Sequence, residues 1–225
     1  LTTSIDTATF DTVIVAHTSR SLWASDLAHQ TNAHLSIDNG RLGCTQNHLA
    51  AWQHHAKTTA TDWAVILEDD AMPIADFTSQ TGLALAAAPT DIVSLYLGRQ
   101  RPPQYQDAIA AAVKSAARNN HAYATAPTLF HAVGVAIRTR LLLGMLKHVS
   151  HIHTGLDIDE AITEWARYHN RLIAYTMPSL VDHRDQGTIA HHRDYAPREP
   201  GRTAYKTGTR DDWATETGIT TIDIP

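Results

Sequence analysis

Three consecutive carboxylates, Glu68, Asp69 and Asp70, follow directly on the apolar run Ala64-Val65-Ile66-Leu67, and Met72-Pro73 then halts the segment. Acids at such an exit suit hard divalent cations and phosphate-bearing ligands. If the extended conformation persists, strand alternation turns Glu68 and Asp70 to one side. A solvated acidic turn after a core strand accounts for the same residues equally well. A second acidic group, Asp157-Ile158-Asp159-Glu160, opens an apparent helix. Asp157 with Glu160 three residues on matches a capping box, which gives Asp157 a structural job. Asp159 has no such job. Its charge suits the first helical turn, and a carboxylate fixed on a rigid helix start is also a good general base.

Histidine and cysteine offer less. His151 and His153 could ligate a metal, but no third ligand is adjacent in sequence. The neighbours His54 and His55 point about 100° apart on a helix, so they cannot chelate one ion and read as surface residues. Cys44 is the single cysteine. It precludes an intrachain disulfide and a thiolate cluster, and it is compatible with a reducing cytoplasm.

The elements that must position these groups alternate strand and helix. Asp11 to His17 is a short apolar strand, Thr18 to Ser21 a polar exit, and Leu22 to Asn32 has helical spacing. His34 to Ile37 reads as a second strand ending at Asp38-Asn39-Gly40, where the acid can hold a ribose or base or close an Asx-type turn. Gly43 to Lys57 is helical, with Leu49, Trp52 and Ala56 on its buried face. Asn47 and His48 lie in its opening turns, an anion-friendly mouth. The short uninterrupted apolar run from Trp63 reads as a strand buried on both faces, and such strands belong to largely parallel sheets flanked by helices. Helices over 76–88, 106–119 and 139–148 then alternate with a strand over 91–97 and two short extended pieces within 122–138, with residues 131–134 between them. Residues 149–156 read as a loop, a helix runs to Tyr168, and Leu172 to Thr176 is a last strand. Gly134 predicts a close backbone approach. No Gly-x-Gly-x-x-Gly is present, so a Rossmann dinucleotide site has no support.

The pattern predicts a single α/β domain over residues 1–225, with a mixed, mostly parallel sheet, a core over about 11–185 and a C-terminal wrap over 186–225. The 225 residues are 43% hydrophobic and 18% charged, as in soluble globular proteins. No apolar run approaches the roughly 20 residues that span a bilayer, so no membrane partner is expected. The net charge of −5 argues against broad nucleic-acid binding, yet five Arg and one Lys fall between Arg184 and Arg210. That tail fits a solvated wrap or a polyanion site. The loop from Gly98 to Tyr105, with Arg99 and Arg101, fits a lid, an acceptor contact or a plain surface loop.

GCTQNHLAAW followed by WAVILEDD resembles glycosyltransferase family 25, whose members pair a Gly-Cys-x-x-Ser-His helix with a hydrophobic strand ending in Glu-Asp-Asp; here Asn47 stands where the family usually has Ser. Further matches are Leu95 to Gly98, AVGVAIRTRLLLGML, the acid before an apolar pair at Asp159, and PSLVDH. The resemblance spans roughly residues 11 to 190, and PSLVDHRDQGT and GRTAYKTG are especially similar to the small transferases predicted in bacteriophages. It implies a GT-A-like, Rossmann-related fold, a UDP-sugar donor and Mn²⁺ or Mg²⁺ at Glu68-Asp69-Asp70. Asp70 is then the first metal ligand, with Glu68 and His183 beside it. Asp159 becomes the base of an inverting hexosyl transfer, with Asp157 in reserve. Thr18, Arg20 and Asp38 face the nucleotide, and Asn47, His48 and Asp69 the sugar or diphosphate. The acceptor hydroxyl belongs to a virion protein, a glycan or a hydroxymethylated DNA base, and the implied location is the cytoplasm, that of the host for a phage enzyme. Two other classes use the same acidic mouth: a metal-dependent phosphoesterase and a non-catalytic nucleotide-sugar or carbohydrate-binding module.

Overall fold

Runs of apolar residues that alternate toward two opposite layers build the centre of the molecule. The computed structural model describes residues 7–152, 155–186, 200–216 and 218–224. In chain order the strands are β1 (Phe10–His17), β2 (His34–Asp38), β3 (Trp63–Glu68), β4 (Ala71–Pro73), β5 (Ile92–Ser94), β6 (Tyr123–Ala126), β7 (Gly134–Arg138), β8 (Ile173–Thr176), β9 (Val181–His183) and β10 (Thr220–Thr221). The helices are α1 (Ser21–Thr31), α2 (Cys44–Thr58), α3 (Phe77–Ala86), α4 (Gln106–Asn119), α5 (Leu142–Ile152) and α6 (Ile158–Tyr168).

Among the described residues eight strands form one sheet in the order β10-β6-β8-β5-β7-β3-β1-β2, and β4 pairs with β9 in a separate ribbon. Pairing is parallel for β2-β1, β1-β3 and β5-β8, whereas β7 is antiparallel to both β3 and β5. Strand β6 runs against β8, and β10 runs parallel to β6. Five strands therefore point one way, and β6, β7 and β10 oppose them. This is the mixed, mostly parallel α/β sheet that the uninterrupted apolar strands predict.

Two apolar layers cover it. Val13, Val15, Ala64 and Ile66 pack with Trp52 of α2, Ile109 of α4, Met145 of α5 and Trp165 of α6. Ile14, Ala16, Val65 and Leu67 face the other way, toward Leu27 of α1 and Leu85 of α3. Trp63 through Leu67 are wholly buried. At about 1.5–3 kcal/mol for each large side chain so buried, these residues anchor β3 firmly in the sheet. Gly134 starts β7 opposite Leu67, and a Cβ there would stand 3.1 Å from Leu67 Cδ2, so the expected close approach is present.

Several expectations are corrected. Strand β3 ends at Glu68 and Asp69-Asp70 form a turn, so alternation does not carry Glu68 and Asp70 to one side. Helix α5 continues to Ile152 where a loop from 149 was expected, and His153 lies outside the described residues. His55 is 1% exposed and its Nε2 meets Val65 O at 3.1 Å, so it is a core histidine and not a surface one. Strand formation does not stop at Thr176, because β9 and β10 follow. The segment after 186 is more than a wrap. Ala204 and Trp213 join one apolar layer and Ile222 the other. Residues 187–199, which carry Arg193 and Arg198, lie outside the described residues. Among the described residues no helix is long and apolar enough to cross a membrane.

Candidate active site

The carboxyl ends of β1, β2, β3, β5 and β8 share one edge of the sheet, the side on which open α/β folds bind ligands. At that edge the chain leaves β3 and turns sharply at Asp69-Asp70. Long-range contacts hold the turn. His17 N, at the end of β1, donates to Asp69 Oδ2 at 2.9 Å. Arg20, in the short 3₁₀ turn Thr18–Arg20, reaches Asp69 Oδ1 at 2.9 Å and Asp70 Oδ2 at 2.6 Å through its Nη1. Thr18 stands exposed at the rim.

The β4-β9 ribbon brings the next group. Its register sets His183 opposite Ala71, and Arg184 N donates to Asp70 O at 2.7 Å. His183 Nε2 thereby lies 3.5 Å from Asp70 Oδ2, with both residues 8% exposed. Burial alone would raise the Asp70 carboxyl, but the His183 hydrogen bond and the charges of His183 and Arg20 outweigh it and hold Asp70 below the usual carboxylate range. Burial would lower His183, and its bond and charge interaction with Asp70 raise it instead. Asp69 goes the other way, pushed up by burial against the His17 and Arg20 hydrogen bonds. Asp70 Oδ1 and His183 Nδ1 are buried with no hydrogen-bond partner.

Glu68, just before the Asp69-Asp70 turn, has a different hydrogen-bond partner. Its Oε1 lies 3.2 Å from Nε2 of His48, on the first turns of α2. Cys44, one helical turn before His48, completes a group whose ligand atoms all lie within 4.8 Å of one another. Although Cys44 as a residue is exposed, its thiol is raised by desolvation and then by the charges of Glu68, Asp157 and Asp159. Thr45 Oγ1 donates to Leu156 O at 3.2 Å, which ties the start of α2 to the approach to α6.

Helix α6 begins with the expected capping box between Asp157 and Glu160. Asp159 is part-exposed, with Oδ1 accepting from Glu160 N at 3.0 Å. Desolvation, followed by the charge of Asp157, pushes its carboxyl up to about 7.

Two sequence candidates are committed to structure. Asp38 accepts from the backbone N–H groups of Arg41, Leu42 and Gly43 at 2.9–3.1 Å, an Asx-type closure in which the Leu42 bond leads in lowering its carboxyl. Asn47 donates to Ala16 O and Ser36 O and accepts from Ser36 Oγ, which pins α2 to β1 and β2. Three residues near the site carry no signal that composition or spacing reveals. Tyr96 has its ring 5.0 Å from His131 and 6.2 Å from His183, and its hydroxyl donates to Arg202 O. His131 is lowered to about 3, by burial first and then by His183, and its Nε2 has no partner. Cys44 lies within the quoted Gly-Cys helix, but only the fold brings Glu68 to it. A depression of about 290 Å³ beside Ala60, Thr61, Asp62 and Arg138 sits at the opposite end of β3 and holds none of these groups.

No family model matches the chain, and no curated protein matches it. Solved structures do. A197 from STIV is 13% identical, with 84% of this chain and 98% of that one covered and a TM-score of 0.49. The inositol-1-phosphate CTP transferase from T. maritima is 7% identical, with 74% and 65% covered and a TM-score of 0.39. A Drosophila β1,4-galactosyltransferase 7 mutant, in complex with manganese, UDP-Gal and xylobiose, is 10% identical, with 88% and 82% covered and a TM-score of 0.38. At these identities and scores they give no residue of this chain a role.

Proposed function

We propose that the protein is a GT-A-like, family 25-like glycosyltransferase that moves a hexose from a UDP-sugar to a hydroxyl acceptor with inversion. One observation carries the reading: two carboxyl groups at the same sheet edge are driven to opposite states. Asp70 is held ionised by His183 and Arg20, whereas Asp159 is pushed up to about 7. Carboxylates whose environments separate their pKa values divide the work between charge stabilisation and proton transfer.

Asp159 takes the proton of the acceptor hydroxyl as that oxygen attacks the anomeric carbon. A base that titrates near neutrality balances availability against basicity. Asp157 shares the helix start but is engaged in the capping box, which favours Asp159 for this role. Arg20 and Thr18 lie on the nucleotide side. Arg20 braces the Asp69-Asp70 turn through its pairs with both carboxylates, from a turn fixed by the His17 side chain, whose Nδ1 accepts from Ser19 N.

A divalent cation, when bound, supplies counter-charge for the departing diphosphate. Asp70 and His183 would hold it: His183 Nε2 lies 3.5 Å from Asp70 Oδ2, and Asp70 Oδ1 is a buried oxygen without a partner that a ligand would satisfy. Glu68 turns toward His48 and leaves this pair.

The test is a mass-resolved screen of UDP-sugars for slow hydrolysis with Mn²⁺, which needs no known acceptor. Turnover of one donor that Asp70→Asn abolishes is expected. A folded wild-type protein that turns over no donor, or an Asp70→Asn variant with the wild-type rate and metal response, overturns the reading.

A further inference from the structure

We infer that Cys44, His48 and Glu68 form a binding site for one zinc-like dication, built from donors other than Asp70 and His183. The three donors come from two well-anchored elements. Cys44 and His48 are four residues apart on α2, so their side chains lie one above the other on the same helix face. Asn47 fastens that turn to β1 and β2, and Asp38 fastens Gly43 just before it. Glu68 closes the group from the last position of β3, whose preceding five residues are fully buried.

The distances suit one small ion. Tetrahedral coordination at about 2.0–2.3 Å from the metal sets donors about 3.3–3.8 Å apart. His48 Nε2 and Glu68 Oε1 are already 3.2 Å apart, and all three donor atoms lie within 4.8 Å of one another. Closure therefore asks for a shift of about 1 Å in a thiol at the open side of the group. His48 is 2% exposed, so its ring is held in place by packing, while Cys44 opens to solvent.

The donor chemistry selects the class of ion. A thiolate with an imidazole and one carboxylate favours zinc or cobalt over magnesium, calcium or manganese, which prefer oxygen. Asp157 and Asp159 add negative field at the thiol, which favours a dication there. Binding releases the Cys44 proton to solvent and forms the metal–sulfur bond. Three protein donors leave a fourth position for water or a ligand oxygen, the pattern of an open zinc site. A bare His48–Glu68 hydrogen bond, with Cys44 incidental, is the competing account.

Cobalt distinguishes the two, because a thiolate bound to Co²⁺ shows a charge-transfer band in the near ultraviolet that imidazole and carboxylate lack. The single cysteine makes the assignment unambiguous. The full chain, stripped by a chelator, is titrated with Co²⁺ and then with Zn²⁺, with metal counted by mass spectrometry. One Co²⁺ per chain with that band is expected, and Zn²⁺ should bleach it. Cys44→Ser should abolish the band, with folding checked by circular dichroism and Cys44→Ala as a second variant. His48→Gln should weaken Zn²⁺ at least tenfold. Asp70→Asn should keep the band, so loss of the proposed donor metal and loss of this site are read separately. Co²⁺ binding without the band, no stoichiometric uptake, or Zn²⁺ affinity unchanged in both Cys44 variants overturns the inference.

Discussion

Asp70 and Asp159 are the same functional group in opposite electrostatic settings, and the difference has consequences for both rate and stability. If Asp159 is the base, donor transfer should rise with pH to a plateau above about 7 and fall about tenfold per unit well below it. Asp159→Asn should lose transfer and that pH limb while UDP binding, measured by calorimetry, survives. The stability sign follows from linkage. The folded state holds the Asp159 proton more tightly than the unfolded chain, so stability falls as pH rises from the usual carboxylate range to about 7. Asp159→Asn removes that loss. At pH 8 the variant should be more stable than wild type by on the order of 1 kcal/mol in urea unfolding, a figure reduced for solvent screening of a part-exposed group. A less stable variant at pH 8 would mean that the carboxylate is favourably solvated and ill suited to be a base.

At the scale of elements, the site depends on how α2, the β3 exit and the β4-β9 ribbon are held. Asn47 is the clearest case, because its amide serves three partners on two strands. Asn47→Ala should cost about 1–3 kcal/mol in urea unfolding, since buried carbonyls are left unpaired. A change in donor KM without loss of stability would instead return Asn47 to the ligand. Gly134→Ala places a methyl 3.1 Å from Leu67 Cδ2 and should cost about 1–3 kcal/mol by overpacking. These elements also show why some features were legible in the sequence. Strands β1 and β3 announce themselves because burial on both faces removes polar residues, and the α6 start does because a capping box is local. The Asp69-Asp70 turn is made by His17 and Arg20 from about fifty residues earlier, so alternation read from β3 alone misplaces Glu68. Strand β4 is three residues long and its partner is more than a hundred residues away. Helical spacing identified α2 but could not say which of His54 and His55 is buried, because the answer lies in Val65 O of the neighbouring strand.

At the scale of the whole molecule, the C-terminal segment decides how far the fold extends and which acceptors are credible. Arg202 and Arg210 are already engaged: Arg202 with Asp185 and Gln186 O, Arg210 with Asn120, Met177 O and Asp212 O. Arg99, in the loop read as a lid, an acceptor contact or a plain surface loop, donates to Tyr205 O. Cations so committed have less to offer phosphates, so duplex DNA should bind weakly and with a shallow salt slope in fluorescence anisotropy. A steep slope would restore the modified-DNA acceptor. The same segment contributes to the core. Trp213 is 3% exposed, its ring centroid lies 5.8 Å from that of Tyr123, and its Nε1 donates to Gln80 Oε1 at 3.0 Å. Gln80 in turn accepts from Arg210 N and donates to Arg210 O, so α3 and the tail are joined by both packing and hydrogen bonds. Trp213→Ala should therefore cost about 3–5 kcal/mol in urea unfolding, the range for emptying a buried aromatic site. Trp213→Phe keeps one aromatic ring but loses the Nε1 bond and part of the indole's packing, so it should cost about 1–3 kcal/mol, less than Trp213→Ala. A surface wrap would give a change below about 0.5 kcal/mol for both variants, because side chains away from the core seldom matter more.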